Sequence, residues 1–206
     1  MGIKNRMFVV GSIGTNCYLV RDEESKEAML IDPGAYDPAI ARAVTENALI
    51  LKYIALTHGH FDHTTGVRAF MSEFPKAVLA ASPKESALLE DLIPKLAFSE
   101  DSVIKLGESL FRVIETPGHT PGGVCFYIDD WDEELIGPGY SGTLFSGDTL
   151  FRSSIGRTDL QGGDMKTLIS SIREKLMKLP DDTIVLPGHM DATTIGNEKQ
   201  YNPFVR

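Results

Sequence analysis

Four short apolar runs in this chain each run out into a turn, in three cases glycine-containing, that delivers a histidine or an aspartate, and that recurrence constrains the fold more than any other feature. Tyr53-Ile54-Ala55-Leu56 leads to His58, and the run from Leu110 leads to His119 across Thr116-Pro117-Gly118. Thr143-Leu144-Phe145-Ser146-Gly147 leads to Asp148, and Ile184-Val185-Leu186-Pro187-Gly188 leads to His189. Apolar runs of roughly four to eight residues bounded by turn signals read as buried strands. Helix-like segments separate them, so the rhythm is strand, turn, helix. In sheets with helical cover, loops gather at the carboxyl ends of strands while the strands hold them rigid, so side chains delivered there converge.

The remaining elements fit this rhythm. Cys17 to Val20 and Ala28 to Ile31 flank the charged turn RDEESKE and read as a hairpin. Asp37-Pro38 is a helix start, an aspartate cap before a proline, and the helix runs to about Asn47. A helix from about Thr64 to Phe74, a strand from Ala77 to Ala80 and a helix beginning at Ser82-Pro83 complete the first half. The second half has strands at Leu110 to Ile114, Val124 to Ile128, Thr143 to Phe145 and Thr183 to Leu186. Its helix from about Met165 to Lys178 carries Met165, Leu168, Ile169, Ile172, Leu176 and Leu179 on one apolar stripe. The stretch DDWDEELIGPGYSG, residues 129–142, reads as a solvated loop; the alternative is a lid or partner contact through Trp131 and Tyr140. There is no internal repeat and no low-complexity tract, and the expectation is one domain over residues 1–206.

Composition removes several classes of function. A net charge of −9 and a pI near 5.0 oppose binding to phosphate backbones, which need clustered Lys and Arg, so nucleic acid is not expected as a partner. No apolar run approaches the length of a membrane span, so no membrane partner is expected. MFVVGSIG, residues 7–14, is short, glycine-broken and continuous with strand-like sequence, and reads as the start of the fold rather than a leader. The 2 cysteines, Cys17 and Cys125, sit in apolar strand-like runs, which fits core thiols and a cytoplasmic, reducing setting better than a disulfide framework.

The motif THGHFDHTTG, residues 57–66, packs His58, His60, Asp62 and His63 into six positions. With His119, Asp148 and His189 they make seven candidates, and they include all 5 histidines of the chain. Imidazole and carboxylate suit zinc, iron or manganese, and the absence of thiolates argues against a structural zinc knot. The set is too large for one tetrahedral ion. Two divalent ions roughly 3.5 to 4 Å apart, sharing a bridging carboxylate and a bridging water, would use it fully.

T-H-G-H-F-D-H, then T-P-G-H-T-P-G, S-G-D-T-L-F and P-G-H, resembles the metallo-β-lactamase superfamily, in order and over nearly the whole chain. The resemblance implies an α/β (α+β) fold, an αββα sandwich of two mixed sheets with helices outside, and a dinuclear site on one edge. It implies His58, His60 and His119 on the first metal, Asp62, His63 and His189 on the second, and Asp148 bridging both. Lactamases of this superfamily typically have cysteine where Asp148 stands and lack His63; this sequence departs from them at both places. GDTLFRSSIGRTDLQGGD and TTIGNEKQYNPF look like the short bacterial glyoxalase II-like hydrolases, which implies hydrolysis of small-molecule S-2-hydroxyacyl thioesters such as lactoylglutathione. A metal-bridging hydroxide would attack the thioester carbonyl, with Asp62 or Asp148 orienting it as the catalytic carboxylates.

The resemblance is incomplete on the carrier side. Only about 17 residues follow His189, so the helical region that helps longer glyoxalase II enzymes grip glutathione has no counterpart. Arg157 stands where those enzymes have a lysine, which makes it a candidate substrate anchor; the other reading is a loop brace paired with Asp159. Asp159 stands where they have tyrosine, so the carrier is open. GRTD is shared with persulfide dioxygenases, which implies an alternative with one iron on His58, His119 and Asp148. A non-catalytic, metal-stabilised binding module is a third reading, and oligomeric state is left open.

Overall fold

A computed structural model of the chain describes residues 2–129 and 141–206, so the 129–142 loop with Trp131 and Tyr140 lies almost wholly outside the described residues. One six-stranded sheet has the order β1-β2-β3-β4-β5-β6, with β1 Ile3–Val10, β2 Thr15–Asp22, β3 Glu27–Ile31, β4 Ile50–Ala55, β5 Val78–Ala81 and β6 Leu96–Ala97. The first three pair antiparallel and the rest parallel. The second six-stranded sheet has the order β14-β13-β10-β9-β8-β7, with β7 Val103–Leu106, β8 Ser109–Glu115, β9 Val124–Ile128, β10 Thr143–Gly147, β13 Ile184–Pro187 and β14 Thr193–Thr194. Its strands pair antiparallel except β10 with β13. A two-stranded ribbon, β11 Leu150–Phe151 and β12 Ser154–Ile155, projects from the loops beyond β10.

Side-chain alternation explains why the strands read as continuous apolar runs. In β2, Tyr18 and Val20 face a core between the sheets while Cys17 and Leu19 face a core under the helices of the first sheet. In β9, Val124, Phe126 and Ile128 face the shared core and Cys125 and Tyr127 the outer one. Strands covered on both faces have no polar side to show. Helices α1 Pro38–Glu46 and α3 Val67–Glu73 cover the first sheet through Ile40, Val44, Val67 and Phe70. Helices α5 Met165–Glu174 and α6 Ile195–Tyr201 cover the second through Leu168, Ile172 and Ile195. The layers are therefore helix, sheet, sheet, helix, as the resemblance implies. Each fully buried Leu, Ile or Phe contributes about 1.5–3 kcal/mol, so the sheets hold the loops at their ends independently of what those loops bind.

Several boundaries differ from the sequence reading. The helix expected from Thr64 is two pieces, α2 Phe61–Thr64 and α3, broken at Gly66, whose N–H leaves the helix to donate to the Pro33 carbonyl at 2.8 Å. A side chain there would strike Pro33 and Ala35. The helix expected after Ser82 is a 3-10 turn, Pro83–Glu85, capped by Ser82, then α4, Ser86–Leu89. Met165 is exposed rather than part of the buried stripe, because it opens the first turn of α5 before the helix reaches the sheet. Among the described residues no helix is long and apolar enough to cross a membrane, and Cys17 and Cys125 are buried thiols without a disulfide.

Candidate metal centre

Four strand ends and one short helix meet at one edge. The β4 loop carries His58 and His60, α2 carries Asp62 and His63, and the loops after β8, β10 and β13 carry His119, Asp148 and His189. All seven candidates come together. The donor atoms of His58, His60 and His119 lie within 4.8 Å of one another, and so do those of Asp62, His63 and His189. Asp148 stands between the groups: Oδ1 is 3.4 Å from His63 Nε2, and Oδ2 is 3.7 Å from both His119 Nε2 and His189 Nε2. Within the groups, His60 Nδ1 faces His119 Nε2 at 3.0 Å and His189 Nε2 meets Asp62 Oδ2 at 3.1 Å.

Close approach of the backbones makes this packing feasible. Gly188 has no Cβ where one would press on Asp148 Oδ1 and His63 Cε1. Gly147 adopts φ 48°, a left-handed conformation that turns the chain toward Asp148, and a side chain there would strike Thr57.

Charge in the site is divided unevenly. Burial pushes His58 well below its ordinary imidazole value, helped by His63 and His119. Burial and then His119 bring His60 down to about 4. For His63 burial acts the same way but is outweighed by the carboxylates of Asp148 and Asp32, which raise it to about 10. Against its own burial, Asp62 is held at about 2 by the His189 hydrogen bond and the His63 charge. Asp148 is lowered against its burial by His63, and the bond to Asp62 raises His189. The edge thus sets imidazoles pushed down by burial, His58 and His60, beside imidazoles pushed up by neighbouring carboxylates, His63 and His189.

The donor set fits divalent metal ions. His58 Nε2, His63 Nε2 and Asp148 Oδ1 are buried without a hydrogen-bond partner, a costly state for three polar atoms in one place unless a cation satisfies them. A cation at His63 Nε2 would take the place of any proton there, since a ligand imidazole must be neutral on its donor nitrogen.

Residues outside the seven hold them in place, and the sequence reading missed these. Asp32, buried at the end of β3, accepts from Thr57 N (2.8 Å) and Thr57 Oγ1 (2.6 Å), and faces His63 Nδ1 at 3.0 Å. It fixes the ring that carries the orphaned Nε2, the usual role of a carboxylate behind a ligand histidine. Part of its signal was available, because Asp32 follows an apolar strand directly and precedes Pro33-Gly34, whereas in the other four the turn comes before the ligand. Glu85, buried under α4, accepts from Gly59 N at 2.7 Å and Gly122 N at 2.6 Å, tying the His58/His60 loop to the His119 loop. Asn16 donates to the carbonyls of Pro187 (3.0 Å) and Met190 (2.9 Å) on either side of His189. Nothing local in the sequence marks Glu85 or Asn16.

Arg157 sits at the rim of the site. Its carbonyl accepts from His119 Nδ1 at 2.7 Å, so its backbone orients a candidate ligand. Its guanidinium donates to both Asp159 carboxylate oxygens, at 2.8 and 2.7 Å, while the side chain still lines the cleft. The brace and the cleft position coexist. That cleft, about 470 Å3, opens beside His60, Asp62, His119, Asp148 and His189.

The sequence matches the profile of the Metallo-beta-lactamase superfamily over residues 10–132 and 135–189. The chain belongs to that superfamily. Among its relatives, the hydroxyacylglutathione hydrolase GloC of Haemophilus influenzae is 36% identical over 92% of each chain. Two solved structures of the superfamily superpose over almost the whole chain. The BLEG-1 B3 metallo-beta-lactamase does so with a TM-score of 0.85 and 35% identity, covering 98% of this chain and 99% of that one. TTHA1623 in a di-iron-bound form has a TM-score of 0.80 and 32% identity, covering 97% of this chain and 100% of that one.

Proposed function

We propose that this superfamily member is a dinuclear metal-dependent hydrolase of S-2-hydroxyacyl thioesters. The observation that carries the reading is Asp148 between two three-donor groups, with one oxygen toward His63 and the other toward His119 and His189. An anionic carboxylate with an oxygen toward each group suits a bridge between two cations. The similarity to a hydroxyacylglutathione hydrolase and to a di-iron protein supports the reaction and the stoichiometry.

In this reading His58, His60 and His119 hold one ion, Asp62, His63 and His189 the other, and Asp148 both. Bound there, divalent cations supply water activated near neutral pH and a Lewis acid for the carbonyl oxygen. The residues of the chain supply the rest. Asp62 and Asp148, both held ionised, accept hydrogen bonds from water and orient it toward the cleft. Asp32 and the Arg157 carbonyl keep His63 and His119 in one tautomer. The thiol leaves as thiolate, an adequate leaving group that needs no protein acid. The buried, undisulfided cysteines accord with a cytoplasmic setting.

The test is elemental analysis of metal-loaded protein together with three assays: hydrolysis of lactoylglutathione, oxygen uptake on glutathione persulfide, and hydrolysis of a β-lactam. Two metals per chain with thioester hydrolysis dominant is the expected result. One iron with oxygen uptake would replace this reading with the persulfide dioxygenase, dominant β-lactam turnover with a lactamase, and no turnover with a binding module.

A further inference from the structure

Around the metal centre the cleft is walled by apolar side chains from separate segments. Ile13 comes from the turn between β1 and β2, Phe61 from the first position of α2, Leu160 from the loop after β12, and Met190 from the residue after His189; buried Phe151 lies behind them. Ile13, Phe61, Leu160 and Met190 are all exposed. Single exposed apolar residues are ordinary, but four converging on one hollow make a patch of the kind that binds. Met190 is also held at φ 68°, a left-handed conformation uncommon for a flexible apolar residue, with its carbonyl pinned by Asn16 Nδ2 at 2.9 Å. Its place at the rim is therefore enforced by the packing.

Away from the metal centre, the same cleft offers an anion little. Arg157 is the one arginine or lysine among its described lining residues, and Asp159 already takes its guanidinium in a two-point pair. An incoming carboxylate would exchange one carboxylate for another and leave the displaced Asp159 charge beside it. The chain's net charge of −9 adds a general repulsion.

We infer that the cleft selects thioesters whose thiol portion is uncharged and apolar, and that Asp159 enforces this by occupying Arg157. The inference rests on the thioester reading for its reaction, and on cleft chemistry alone for its selectivity.

The experiment compares metal-loaded protein on lactoyl thioesters of glutathione and of benzyl mercaptan, each rate divided by that of the same ester in hydroxide alone. In parallel, calorimetry measures binding of two inert thioethers, S-methylglutathione and S-benzyl-N-acetylcysteamine. The benzyl ester is expected to have a kcat/KM at least about tenfold higher, expressed in KM as ground-state binding is. The uncharged thioether binds more tightly by a similar factor. Phe61→Ser lowers both preferences. Asp159→Asn, at an exposed position, shifts the ratio toward glutathione by about threefold to fivefold, the worth of one exposed ion pair. Adding Arg157→Gln to Asp159→Asn removes that gain. Tighter binding of S-methylglutathione, or a ratio that Asp159→Asn leaves unmoved, would overturn the inference. If no thioester is hydrolysed yet the uncharged thioether binds preferentially, the cleft assignment stands and the reaction assignment falls.

Discussion

Asp32→Asn separates the support of the site from the site itself. The two carboxylate oxygens of Asp32 have different partners: Oδ1 takes Thr57 N, while Oδ2 takes Thr57 Oγ1 and faces His63 Nδ1. An asparagine has one acceptor oxygen and one NH2 group. If the oxygen stays toward Thr57 N, the NH2 group meets His63 Nδ1–H, and the ring loses its acceptor. If the amide flips, the NH2 group meets Thr57 N–H and the backbone pays instead. A buried donor left unmatched costs about 1–3 kcal/mol. In the first orientation that cost falls on the metal-bound state, and a tenfold to hundredfold loss of affinity, the usual effect of removing such a partner, corresponds to about 1.4–2.8 kcal/mol. In the second it falls on the fold, lowering the Tm of metal-free protein by roughly 2–12 °C. Chelator competition measures the first and thermal unfolding in chelator the second. Asp32→Asn added to His63→Ala should cost little further metal affinity, because Asp32 acts through His63. Wild-type affinity together with wild-type Tm would refute the role assigned to Asp32.

Asp148→Asn should reduce metal content from two ions per chain to one and nearly abolish thioester turnover while the metal-free fold persists; near wild-type turnover with one ion would show the bridge to be dispensable. Gly188→Ala should lower turnover at least ~100-fold, since its Cβ would press on Asp148 and His63 and displacements of about 1 Å at a reacting centre have that effect; retained turnover would mean that this packing is softer than drawn. Glu85→Gln should lower Tm by roughly 2–12 °C and weaken metal binding together, by leaving one of Gly59 N–H and Gly122 N–H facing an NH2 group; a Tm loss at unchanged metal affinity would make Glu85 a brace of the fold alone. Burial pushes the Cys125 thiol up to about 11 and Cys17 well above its ordinary value, so the folded pKa lies above the unfolded one and this part of the stability, present below about pH 8.5, is lost as pH rises toward 11. Native protein at pH 8.5 should resist alkylation and take two labels on unfolding; rapid native labelling would contradict the burial.

The fold was legible where burial dictated composition. Strands such as β9 face apolar cores on both sides, so they stand out as unbroken runs, and the hairpin of β2 and β3 was visible from its charged turn. Elements with a weaker apolar signature were not seen. β7, Val103–Leu106, is an outer strand with an exposed, buried, exposed, buried pattern of only four residues. α6 contains Gly196, which masks its helical character, although Thr194 caps it through Asn197 N.

For the site, the chemistry was legible and its support was not, because the two are encoded differently. A cation needs particular donor atoms, so histidine and aspartate after strands are conspicuous wherever they occur. Support needs only an acceptor in the right place, and what makes Glu85 an acceptor for Gly59 and Gly122 is the crossing of three loops distant in sequence. Asp32 falls between these cases: it follows the strand rule, but it delivers its oxygens to Thr57 and to the back of His63 rather than to the cleft. Its donor atom does lie close to those of His58 and His63, so proximity alone would enrol it as a ligand. What separates it is accounting of hydrogen bonds. Its oxygens already have protein partners, whereas His58 Nε2, His63 Nε2 and Asp148 Oδ1 have none, and unsatisfied buried atoms rather than near ones point to where a cation belongs.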